Sequence, residues 1–174
     1  DQDADRDERA RVELLTELAE ALVYVDDTRG IEVAREAVQR ARSAGLAADL
    51  GRAVAAFADQ PQALLDHPGE VAALFDEARV ALGEDHPELR ARLLAFEAFA
   101  YATYQLQGRD SLQLADDALA LARRADDPST LGEALFGAAA ARSGTAPVDE
   151  RVPLGEELVV LGRTGRNFAA GMSG

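Results

Sequence analysis

A chain of 174 residues is long enough for one domain with a real core, or for about four stacked helix pairs. Its hydrophobic content of 48% includes only 5% aromatic residues and no Trp; much of the rest is Ala, which suits close helix packing and argues against a β-sandwich. The formal charge is −14 and all 18 basic residues are Arg, so the chain repels nucleic-acid phosphates and anionic membranes, and the lack of Cys excludes disulfides and thiolate metal sites.

No apolar run approaches the roughly 20 residues of a membrane span, and no signal peptide is visible, so a cytoplasmic protein is expected. The chain starts at Asp1 without Met and stops at Gly174 in mid-pattern, which points to a segment of something longer.

Residues 1–8 are mostly charged and are expected to be a flexible acidic start, frayed or weakly helical. Val12, Leu15, Leu18, Ala19, Leu22 and Val25 then outline an amphipathic helix over 9–25. The run 26–30 breaks it, with Asp27 or Thr28 as cap of a helix over 31–44 that ends at Gly45. Leu50, Val54 and Phe57 share a face of the next helix, over 46–58, which 59–61 closes or kinks. A loop is predicted through Leu64 and Leu65 to Asp66-His67-Pro68, then a helix over 70–82. After 83–87 comes a helix from Leu89, a turn at Gly108-Arg109-Asp110 and a second helix up to about Asp127. Asp110 with Gln113, and Thr130 with Glu133, have capping-box spacing. A helix over 129–142, a loop over 143–147 and a last helix over 151–163, with Pro153 in its first turn, complete the pattern.

One row of apolar residues recurs. Ile31, Ala34, Val38 and Ala41 return as Val71, Leu74, Ala78 and Ala81, then as Leu112, Ala115, Leu119 and Ala122, and more weakly as Leu154, Leu158 and Leu161. The anchors Ala34, Leu74, Ala115 and Leu154 lie 40, 41 and 39 residues apart. The first and third helix pairs align without a gap at an offset of 81, Arg11 on Arg92 and Ala34 on Ala115 among others. This predicts an all-α, right-handed α-solenoid of about four antiparallel helix pairs over 9–163, with 164–174 a tail or the start of a further repeat.

At these residues the chain resembles a tetratricopeptide array. Ala115, Leu119 and Ala122 match its second helix and Phe99 the large residue of its first, whereas Thr103 and Leu22 stand where a small residue is expected. The period near 40 also exceeds the motif's usual length of about 34. The phrases over 89–95 and 114–124 resemble the helical-repeat region of large bacterial ATP-dependent transcriptional regulators, the MalT-like or LuxR-type group. That resemblance implies a sensor or linker between a nucleotide-binding and a DNA-binding domain. Residues 159–174 instead resemble a C-terminal segment of glutamate synthase large subunits, which implies a junction or an enzyme-associated fragment.

No motif carries catalysis. His67 and His86 both sit in Asp-His-Pro, at opposite ends of a helix about 22 Å long, too far apart for one ion, and read as helix-entry turns. The acidic pairs Asp26/Asp27, Asp116/Asp117 and Asp126/Asp127 read as solvated caps and surface. Gly162-Arg163-Thr164-Gly165-Arg166 lacks the spacing and Lys of a nucleotide loop. No cofactor or metal is expected.

A binding scaffold for a protein or peptide, a basic one being tolerated best, is what remains; small-ligand sensing between helix pairs is the third alternative. In the tetratricopeptide geometry the first helix of each pair lines a concave face. Carried over, this makes Thr16, Val23, Glu97, Tyr104 and Gln107 the groove candidates, Tyr104 foremost because it offers apolar area with a hydroxyl.

Overall fold

The computed structural model describes residues 2–23, 25, 27–106, 108–144 and 146–163. Among them the chain is all-α, with nine helices and no strand. It divides into two compact units, Asp1–His86 and Pro87–Gly174.

Unit 1 contains α1 (Gln2–Leu22), α2 (Asp27–Ser43), α3 (Ala47–Ala58), α4 (Pro61–Asp66) and α5 (Pro68–Leu82). α1 packs on α2 and α3, α2 on α3, and α3 on α5. The short α4 fills the angle between α2, α3 and α5, where a loop is predicted from the sequence. Pro61 starts it and buries Ala63 and Leu64, a turn too short to leave a periodic signal. α1 begins seven residues ahead of its predicted start, its acidic opening running straight into the helix. Glu8, near that opening, is held by Arg40 at 2.9 Å.

Unit 2 contains α6 (Pro87–Thr103), α7 (Ser111–Ala125), α8 (Pro128–Arg142) and α9 (Val148–Arg163). α6 packs on both α7 and α8, α7 on α8, and α8 on α9. Its core is a seam of small residues, Ala91, Ala95, Ala98, Ala115, Ala118, Ala122, Ala134 and Ala138, keyed by Leu94, Leu119 and Leu135. Leu154, Leu158 and Leu161 cover it from α9, which has no fully buried residue of its own. Pro153 is the sixth residue of α9, so the first turn starts earlier than predicted and one backbone bond of the second turn is forgone.

At the 81-residue offset α1, α2 and α3 align with α6, α7 and α8, and α5 falls on α9. The small residues of the second helices, Ala34, Ala37 and Ala41 against Ala115, Ala118 and Ala122, are buried in both units. The helix stops align too. α2 ends with Gly45 at φ +66°, Leu46 N–H donating back to the Ala41 carbonyl at 3.0 Å. α7 ends with Asp126 at φ +54°, the same left-handed turn held by a residue with a Cβ. Asp126→Gly should therefore stabilise the protein by about 0.5 kcal/mol, read as a rise in the urea midpoint.

The caps refine the expected boxes. Asp110 accepts from Leu112 N–H (2.9 Å) and Gln113 N–H (3.3 Å), but the Gln113 side chain goes forward to Asp117 at 3.0 Å. For α8 the cap is Asp127, not Thr130. It accepts from the Thr130 N–H at 2.9 Å and hydroxyl at 2.6 Å, because Pro128 takes the first helical position.

Two forked ion pairs tie α2 to α5. Arg35 donates to Glu70 at 3.0 and 2.9 Å, and Arg42 to Glu77 at 2.5 and 2.6 Å. Arg35 also lies 5.2 Å over the Phe57 ring. The counterpart in unit 2 is Arg123–Glu157 at 3.1 Å, joining α7 to α9. The forks hold the Glu70 and Glu77 carboxyls below their ordinary value of 4.5. Their contribution is whole above that value and is lost as pH falls through the lowered folded-state values. Both glutamates are over a third exposed, so each fork is worth well under about 1 kcal/mol. Urea midpoints should fall below about pH 4.5, and Glu70→Gln with Glu77→Gln should flatten that fall.

Candidate functional site

Of the sequence-predicted groove residues, Thr16, Val23 and Glu97 lie inside the fold rather than on a groove surface. Thr16 and Val23 are buried, and the Thr16 hydroxyl is satisfied by the Val12 carbonyl at 2.9 Å. The inward row of α1 is Val12, Thr16, Ala19 and Val23, while Leu14 and Leu18 stay exposed. Small and β-branched side chains thus face the Ala-rich neighbour, and the larger leucines are displaced outward. Glu97 is also no groove residue: it is fully buried, with Arg109 Nε 3.0 Å from its Oε1. α6 buries two rows, one through Leu94, Ala98 and Tyr101 and one through Leu93, Glu97 and Ala100, so position 97 falls inside. The sequence signal was available, since Glu97 is the single charge in the apolar run 93–102. Tyr104 is partly exposed just after α6, and Gln107 lies outside the described residues.

The surface that is built lies one step around α6. Phe96 and Phe99 occupy neighbouring turns with ring centroids 6.1 Å apart. Phe99 meets Phe136 of α8 at 5.3 Å, the rings tilted by 32°. All three rings are partly exposed. One turn before them Arg92 Nε reaches Glu133 Oε2 at 2.6 Å, bridging the same two helices. A strip of aromatic area, closed at one end by an ion pair, therefore crosses from α6 to α8. Aromatic pairs of this geometry add about 0.5–1.5 kcal/mol beyond burial, which holds the rings in place while each stays partly exposed. The sequence reading gave Phe99 a role as the large residue of a first helix; nothing in it could bring Phe136, 37 residues on, to its side.

In unit 1 the equivalent positions are Leu15, Leu18 and Ala55, with Arg11 and Arg52 where unit 2 has Arg92 and Glu133. A shallow open cleft of about 510 Å³ also lies in unit 1, between the α2–α3 turn and α5, lined by Ala41, Arg42, Leu46, Leu50, Glu77 and Val80. Its polar edge is occupied by the Arg42–Glu77 fork, so few groups converge to orient a small ligand.

The acidic pairs Asp116/Asp117 and Asp126/Asp127 have structural duties. Asp116 receives Arg142 at 2.5 Å, Asp117 accepts from Gln113, Asp126 ends α7, and Asp127 caps α8. His67 and His86 immediately precede the first residues of α5 and α6, Pro68 and Pro87. Among the described residues no three His, Asp or Glu side chains converge as metal ligands. No described helix is long and apolar enough to cross a membrane. No protein family, curated protein or solved structure matches the chain.

Proposed function

We propose that the chain is a non-catalytic scaffold of tetratricopeptide-like helix pairs, stacked as a right-handed α-solenoid, that binds a protein or peptide on its first-helix surface. The pairs are α1 with α2, α3 with α5, α6 with α7, and α8 with α9. Contacts of α1 with α3 and of α6 with α8, beside those within each pair, support that assignment. The observation that carries the binding role is the strip of Phe96, Phe99 and Phe136, partly exposed aromatic area shared by two first helices. Partly exposed aromatics on a rigid helical base lose little entropy on binding and concentrate affinity.

The wider setting is the sensor or linker segment of a large bacterial ATP-dependent regulator. In the stretch that resembles glutamate synthase, Val159 to Arg163 form the end of α9, which favours a repeat helix over a β-helix strand there. The rest of that stretch lies outside the described residues.

Panning a random peptide library on the whole chain should enrich peptides with a large apolar anchor. Phe99→Ala with Phe136→Ala should weaken the selected binders about thirtyfold, about 2 kcal/mol, with helical circular dichroism retained. Binders indifferent to that double variant would remove the basis of this reading.

A further inference from the structure

In unit 1 the same surface is built differently. Arg52, Ala55 and Asp59 share one face of α3 and its cap, spaced by three and four residues. The Gln60 amide donates to the Ala19 carbonyl at 3.0 Å, which sets this end of α3 beside the Leu18–Leu22 turn of α1. Leu18 is 40% exposed, and Leu15 and Leu22 are partly exposed. At the aligned positions unit 1 thus carries Leu15, Leu18, Ala55 and the carboxylate of Asp59, where unit 2 has aromatic rings and Ala140.

Asp59 differs from the other inward-placed carboxylates. Asp49 lies between Arg9 at 3.4 Å and Arg52 at 2.8 Å, and Glu97 has Arg109. Asp59 is partly buried, and its side chain makes no hydrogen bond or ion pair with any described residue. Burial alone pushes its carboxyl above the ordinary 3.8. Arg52, the cation nearest on its own face, is committed to Asp49. A desolvated carboxylate gains most from a cation brought to it, and the overall charge of −14 draws cationic chains toward the surface.

We infer that this first-helix surface of unit 1 takes a basic peptide, an arginine or lysine pairing with the Asp59 carboxylate while an adjacent apolar side chain lies on Leu18. The inference rests on the reading of first-helix surfaces as the binding face, and adds the chemistry of the ligand.

The test uses the whole chain, fluorescence anisotropy, and a labelled synthetic peptide of alternating arginine and leucine, with a twin carrying citrulline for arginine. The arginine peptide should bind, and Asp59→Asn should weaken it about tenfold while leaving the citrulline twin unchanged. Glu84→Gln, which removes an exposed charge elsewhere in unit 1, should leave binding unaltered. The Asp59→Asn protein should be at least as stable as the parent to urea, since it sheds a desolvated charge. Equal losses from Asp59→Asn and Glu84→Gln would mean a diffuse field only and overturn the inference; so would no binding of the arginine peptide. Loss on Leu18→Glu without loss on Asp59→Asn would overturn the role of Asp59 and leave the first-helix surface standing.

Discussion

Gly137→Ala should destabilise unit 2 by about 3 kcal/mol, lowering the thermal midpoint by roughly 10 °C. A Cβ built at Gly137 on α8 stands 2.5 Å from the carbonyl oxygen of Ala95 on α6, and 3.1 Å from that residue's C and Cα atoms. The obstacle is backbone, so no rotamer change relieves it; the two helices must separate, and the Ala seam between them loses contact along its length. Gly155→Ala in α9 is the control. No atom lies within 4 Å of its added methyl, and the gain in helix propensity should stabilise the protein by about 0.5–1 kcal/mol. The same change with opposite sign at two helical positions separates close approach from propensity. Equal effects would show that α6 and α8 do not touch at Ala95.

Arg109→Met should cost about as much, roughly 3 kcal/mol, because it removes the guanidinium 3.0 Å from a fully buried carboxylate. Arg109 is only partly exposed and comes from the α6–α7 turn, so the pair also fixes how that turn lies over α6. Replacing both partners, Arg109→Met with Glu97→Gln, should restore most of the loss, since the charge rather than the missing contact carries the penalty. Urea unfolding of both variants checks the two expectations. A single variant as stable as the parent would mean that the Glu97 carboxylate is reached by solvent.

The two effects depend on residues whose importance is unequally visible in the chain. Gly137 sits in a run of Gly and Ala, and nothing local tells it from its neighbours. Glu97 stands out as a charge inside an apolar stretch, and the tetratricopeptide register that points it into a groove differs from the observed one by a rotation about the α6 axis. On α1 the leucines at 14, 15 and 18 outweigh Thr16 and Val23 in any hydrophobicity count, but the partner surface is alanine-rich and favours the smaller row. α4, at six residues, is too short to show a period, and Pro153 lies in the second turn of α9 rather than the first because a helix can tolerate proline there when that end lies exposed.

What the sequence determined by itself was the all-helical character, most of the helix ends, and the spacing that brings the same small residues inward in both units. Those depend on local terms: a 3.6-residue period, glycine or aspartate at left-handed stops, aspartate and proline at starts. Only the tertiary structure decided which of two apolar rows faces inward, which arginine meets which glutamate some 35 residues away, and that Phe136 completes the strip begun by Phe96 and Phe99. A period sets the distance between rows but not the angle of the helix about its axis. That angle comes from the shape of the neighbouring helices, and the neighbours are brought in from far along the chain.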